Sequence, residues 1–199
     1  EATQAFRQSM QSVYDEYGIE MIDRGREDVT EMMYARMRDG MDAHRKWAEG
    51  QAVIGRAEMS GTVGTLDQDL QDKALEQFDA RTAQDIENLR AENPDIPQAS
   101  IEALAREQRV DYVARNGIMD QTVMQQVNLA ASGQSWLLRD GEPNPATVAG
   151  LHAFMNIYSK NSDLAYQYVP DPQARGRMLA AATLVQAEHP DVDVFASVD

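Results

Sequence analysis

Apolar side chains recur at steps of three and four residues along most of the chain, the spacing of one face of an α-helix. A first stretch of this kind contains Phe6, Met10 and Val13. A second is expected from about Asp28 to about Met59. Its apolar face carries Met33, Met37, Met41, His44 and Ala48, with Trp47 alongside. Because no alternating strand pattern follows the turn at residues 140–141, the chain is predicted to be all-α, with no substantial β-sheet.

Short polar breaks that contain Gly or Pro separate the predicted helices. The run SGTVG at residues 60–64 ends the second helix. Thr65 and Gln68 then form a capping-box pattern, which predicts a helix over about residues 66–91. The run NPDIP at residues 93–97 is a further stop, and Asp95 is expected to cap the helix that follows it.

Stronger boundary signals mark the second half of the chain. Gly117 is expected to end a helix in the left-handed conformation, and Asp120 to cap the next one. Asn144 and Asp171 each precede a proline, a pair that favours the first turn of a helix. A last helix is expected to begin near Val192.

These elements predict a multi-helix array of helix–break–helix units. The breaks at residues 92–96 (ENPDI) and 188–192 (EHPDV) look alike, which indicates either irregular helical repeats or two ordinary helix stops. We expect a long-helix segment over residues 1–60 and a helical domain over residues 65–199. Since the chain begins at Glu1, we also expect it to be an internal piece of a longer polypeptide.

Composition excludes several functional classes. The 33 acidic residues outnumber the 18 Lys and Arg, for a net charge of −15. A nucleic-acid clamp is therefore not expected, because such proteins neutralise phosphates with clustered cations. The charge suits either solubility or a wall that DNA passes without binding. The absence of Cys excludes disulfides, thiolate catalysis and cysteine-ligated zinc.

No motif in the sequence points to catalysis, a cofactor or a metal. His44, His152 and His189 lie far apart in the sequence and outside any HExxH pattern, so packed or surface roles are expected. The acidic run at residues 67–72 lacks the Gly and the final Glu of a calcium loop and suits the first turn of a helix. We therefore predict a protein that is not an enzyme.

Two large aromatic residues are the candidate subunit contacts. Trp47 and Trp136 could each anchor an interface, because Trp buries a large area at low entropic cost. Packing inside the core is the alternative for both.

Five runs in the second half of the chain carry a resemblance to a known family: residues 116–119 (NGIM), 132–136 (SGQSW), 145–151 (PATVAGL), 157–165 (IYSKNSDLA) and 178–193. They resemble the internal virion (core or ejection) proteins of autographivirus-type short-tailed bacteriophages. They rest on helix-boundary spacing and contain no catalytic motif.

This resemblance implies a structural homo-oligomer. Such proteins are stored in the capsid with other core proteins on the portal, leave through the tail, and form a channel across the host periplasm and envelope. Phage DNA crosses that channel without sequence-specific binding. An alternative from the residues alone is a non-enzymatic helical-repeat scaffold that binds another protein. A third is a fragment of a cell-wall-cleaving enzyme, which would need a desolvated Glu in a deep cleft.

Overall fold

The computed structural model describes residues 27–132, 144–190 and 194–195, with side chains described from residue 32 onward. The protein is all-α, as predicted, and this part of the chain contains no strand. The helices are α1 (Glu27–Ser60), α2 (Gln68–Glu92), α3 (Gln98–Asn116), α4 (Gln121–Ala131), α5 (Pro145–Lys160), α6 (Ser162–Tyr168) and α7 (Pro172–Glu188), with a 3-10 turn at Val63–Thr65.

The chain divides into two compact units, Glu1–Val53 and Ile54–Asp199. The described part of the first unit is the α1 helix up to Val53. The second unit contains the end of α1 and all the later helices. The expected boundary near residues 60–65 stays a prediction. Among the described residues, no helix combines the length and low charge that crossing a bilayer requires.

Helix α5 is the centre of the second unit, since it packs against α3, α4, α6 and α7. Its buried side chains include Leu151, Phe154 and Ile157, all with no exposed surface, together with the polar Thr147 and Asn156. Burial of such side chains contributes roughly 1.5–3 kcal/mol each. The largest other side chains of this core are Ile54, Ile118 and Met178.

Most helix starts in the second half lie where the sequence places them. The Asp120 carboxylate accepts a hydrogen bond from the Val123 N–H at 2.9 Å. Asn144 and Asp171 cap α5 and α7 in the same way, each followed by proline in the first turn. Gly117 has a φ of 68°, in the left-handed region that favours glycine, and ends α3 as expected.

Two predicted caps in the first half are wrong. Asp67, rather than Thr65, caps α2 by accepting from the Leu70 N–H at 3.0 Å. Thr65 belongs to the 3-10 turn and donates its hydroxyl to the Thr62 carbonyl. Asp95 caps nothing, because α3 begins directly after Pro97, which has no capping side chain.

Several expectations fall outside the described residues. These are the helix containing Phe6, Met10 and Val13, the turn at residues 140–141, and most of the helix expected from Val192.

Candidate functional site: an exposed helix face and a polar cleft

Trp47 lies on an exposed surface of α1. Its side chain is 61% exposed, and its ring stacks on that of His44 with 5.7 Å between centroids. This exposure is inconsistent with the core-packing alternative for Trp47. A subunit contact at Trp47 stays a prediction, and Trp136 lies outside the described residues.

Trp47 flanks an apolar strip that we call the α1 stripe. Its members recur at alternating steps of three and four residues, so they share one side of the helix. They are Tyr34, Met37, Met41, His44 and Ala48. Tyr34 and Met41 are 63% and 65% exposed, and only Met37 is half-buried. Exposed apolar side chains gathered on one helix face are typical of interaction surfaces.

The second unit contains an open cleft of about 470 Å³ between α2 and α3, at the end of α1. Most of the residues that line it are polar or charged. It consists of Glu58 from α1, Phe78, Arg81, Thr82 and Asp85 from α2, and Gln108, Asp111, Tyr112, Arg115 and Asn116 from α3.

Glu58 joins the three helices around this cleft. One of its carboxylate oxygens accepts hydrogen bonds from the Arg81 guanidinium and the Tyr112 hydroxyl, both at 2.6 Å. Burial alone raises the pKa of Glu58, but these two hydrogen bonds outweigh it and hold the pKa below its usual range. Burial and the bond to Glu58 raise the pKa of Tyr112.

These pKa directions limit the chemistry of the cleft. A general acid or base works best with a pKa near the operating pH. Glu58 and Tyr112 are both moved away from neutrality, so one stays ionised and the other stays protonated. The pair therefore acts as a fixed polar contact between α1 and α3. Phe78 stacks on the Tyr112 ring with 4.4 Å between centroids and holds the phenol in place.

A second polar network connects α2, α3, α4 and α6. Arg109 contacts Asp120 at 2.7 Å and Asp79 at 2.5 Å. The Tyr168 hydroxyl donates to the Ile118 carbonyl and accepts from the Asp120 N–H. Burial raises the pKa of Asp120. The hydrogen bonds from Arg109 and from the Val123 N–H outweigh that effect, so the pKa is lower than its usual value. The network therefore links the middle of α2 and α3 to the start of α4 and the end of α6.

The histidines and the acidic run at residues 67–72, which were considered for metal or nucleophilic chemistry, lie on or at the ends of different helices. His152 lies 3.9 Å from Glu107, and His189 ends α7. Asp69 lies in the first turn of α2, as the sequence indicates, whereas Asp67 caps that helix in place of Thr65. Within the described residues, no three His, Asp or Glu side chains converge as metal ligands.

The sequence gives no advance sign of Glu58, Arg81 or Tyr112 as a group. Glu58 and Tyr112 are 54 positions apart, and each lies on a helix whose local pattern is unremarkable. Only the packing of α1, α2 and α3 brings them together.

Comparison with known proteins gives no relative. No family model, no curated protein and no solved structure matches this chain.

Proposed function

We propose that this chain is a non-enzymatic structural subunit that assembles with copies of itself, of the internal virion protein type that its second half resembles. In that role it is stored in the capsid core beside other core proteins and the portal. After ejection it forms part of a channel through the host envelope. The observation that carries the proposal is the exposed α1 stripe with Trp47 beside it.

The arrangement of charge supports the same proposal. A net charge of −15 repels phosphate, which suits a wall that DNA passes and opposes tight binding. The pKa directions at Glu58 and Tyr112 favour a structural role for the polar side chains of the cleft.

The test is imaging of the protein by negative stain, in buffer and with vesicles of phosphatidylethanolamine and phosphatidylglycerol. We expect rings or tubes with a central hole of about 20 Å or more, wide enough for duplex DNA given its groove dimensions. Compact single particles in both conditions would contradict the channel.

The open cleft favours a second candidate function, the helical scaffold. Its walls carry side chains with free hydrogen-bonding capacity, such as Thr82, Asp85 and Gln108, beside the Phe78 ring. Saturable binding of a basic peptide by a monomeric chain, lost in Asp85→Lys, would favour this function. Assembly of the chain without peptide binding would exclude it.

A further inference from the structure

The α1 stripe has the spacing of a coiled-coil seam. Tyr34, Met41 and Ala48 repeat every seven residues, and Met37 and His44 lie between them, as the a and d positions of a heptad do. The first unit exposes Tyr34 and Met41 by more than 60% along this seam. A helix with such a seam is stabilised by a second helix that covers it.

The charges beside the seam indicate which helix that is. Arg38, Asp42, Arg45 and Glu49 lie along one flank of the α1 stripe and alternate in sign. Arg45 contacts both Asp42 and Glu49, at 3.2 and 3.9 Å, so these side chains do share that flank.

From Arg38 to Glu49 the charges along this flank are positive, negative, positive and negative. In a second copy that runs in the opposite direction, the charge at each matching position has the opposite sign. In an antiparallel pair of copies, Arg38 therefore faces Glu49 of the second copy, and Asp42 faces Arg45. A parallel pair would place this flank against the other edge of the stripe, where Met33, Gly40 and Trp47 offer no charge.

We propose that residues 32–53 of α1 form a two-stranded antiparallel coiled coil with the same segment of a second copy. In this arrangement Met41 packs against His44 of the second copy and Met37 against Ala48. Side chains lean toward the N-terminus of their own helix, which brings Arg38 and the opposing Glu49 together. The seam from Tyr34 to Ala48 covers about two heptads, fewer than the three to four over which a coiled-coil pattern is usually sustained, so the association is weak and depends on concentration.

This inference rests on the proposed function, since it names the surface and orientation by which copies meet. Charge reversal tests it directly. Arg38→Glu places like charges opposite each other twice in the dimer, and Glu49→Arg does the same. The double variant Arg38→Glu/Glu49→Arg restores both attractions. Because residues 38 and 49 are roughly 16 Å apart along one helix, they cannot rescue each other within one copy.

The experiment is sedimentation equilibrium of the complete chain at low salt. Arg38→Glu and Glu49→Arg are each expected to raise the dimer dissociation constant by about tenfold, from two lost exposed ion pairs. The double variant should return it to within about threefold of the wild type. Lys46→Glu, a matched reversal on the far side of α1, should leave it unchanged. Circular dichroism of each variant checks that α1 remains helical.

Disulfide cross-linking measures the orientation of the two helices. The chain has no natural Cys, so only introduced cysteines can form disulfides. A mixture of Met41→Cys and His44→Cys chains should give mainly mixed disulfide dimers on oxidation. Dimers formed chiefly by Met41→Cys alone would indicate parallel pairing and overturn the proposal.

The remaining outcomes separate the inference from the proposed function. Assembly that none of the charge variants changes would overturn the coiled coil and leave the proposed function standing. A monomer at every concentration would overturn both.

Discussion

An added methyl group at Gly150 should force two packed helices of the second unit apart. It lies in α5 against α4, where a Cβ would be 2.4 Å from the Gln126 carbonyl oxygen and 2.9 Å from the Ala130 Cβ. A helix carbonyl cannot rotate away, so Gly150→Ala must push the two helices apart. The same movement stretches the 3.0 Å hydrogen bond from the Gln126 side chain to the Ala149 carbonyl.

The expected cost follows from two opposing effects. Overpacking against backbone belongs at the upper end of the usual range, about 3 kcal/mol. Ala is the better helix former by about 1 kcal/mol. The net loss in the free energy of unfolding is therefore about 2 kcal/mol. Gly176→Ala is the matched control in α7, because nothing lies within 4 Å of its added Cβ. It should stabilise the protein by about 0.5–1 kcal/mol.

Urea unfolding followed by circular dichroism measures both variants. With an m-value of about 2 kcal/mol/M, Gly150→Ala lowers the midpoint by roughly 1 M and Gly176→Ala raises it slightly. A Gly150→Ala protein as stable as the wild type would refute the close approach of α4 and α5.

Three further predictions concern the core and the network at Asp120. Tyr168→Phe leaves the Ile118 carbonyl and the Asp120 N–H without their partner, and should cost about 1–3 kcal/mol in urea unfolding. Burial raises the pKa of Tyr168 from 10.0 to about 12, so wild-type stability should fall as pH rises through that interval, and the variant should lack this fall. The pKa of Asp120 is lowered in the folded protein, so its carboxylate stabilises the fold above its usual pKa of about 4. That contribution is lost as the pH falls through the lower folded value. Asp120→Asn should therefore reduce the loss of stability at acid pH, measured as the free energy of unfolding against pH. Phe154→Ala empties the centre of the core and should cost about 3–5 kcal/mol by thermal unfolding, and a loss below about 1 kcal/mol would contradict its full burial.

Helix boundaries that rest on local chemistry could be predicted from the sequence. Asp120, Asn144 and Asp171 each place a capping side chain next to a helix that needs one, and Gly117 supplies the left-handed turn. These choices involve only neighbours along the chain, so tertiary packing does not change them.

Boundaries with two competing local solutions could not be decided. Thr65 and Asp67 both offer an oxygen to the start of α2, and the 3-10 turn at Val63–Thr65 uses the first of them. The break at Asn161 contains no Gly or Pro, and the apolar pattern runs on from α5 into α6. The side chain of Asn161 nonetheless accepts from the Leu164 N–H, and the run Asn161-Ser162-Asp163 is the signal that could have indicated it.

The polar contacts of the second unit depend on packing and have no local signature. Arg81 meets Glu58 only because α2 returns alongside the end of α1. The exposure of Trp47 could not be predicted either. An apolar helix face has the same sequence pattern whether it packs on a core or lies on the surface. The structure settles that Trp47 is exposed.

The mass of the protein in solution, measured by light scattering over a hundredfold dilution series, tests the central claim most directly. A structural subunit that meets its copies through α1 should show a mass above the 22.2 kDa of one chain, falling on dilution. In Met41→Asp the excess mass should disappear while the helical content stays the same. A mass of one chain at every concentration would contradict the account.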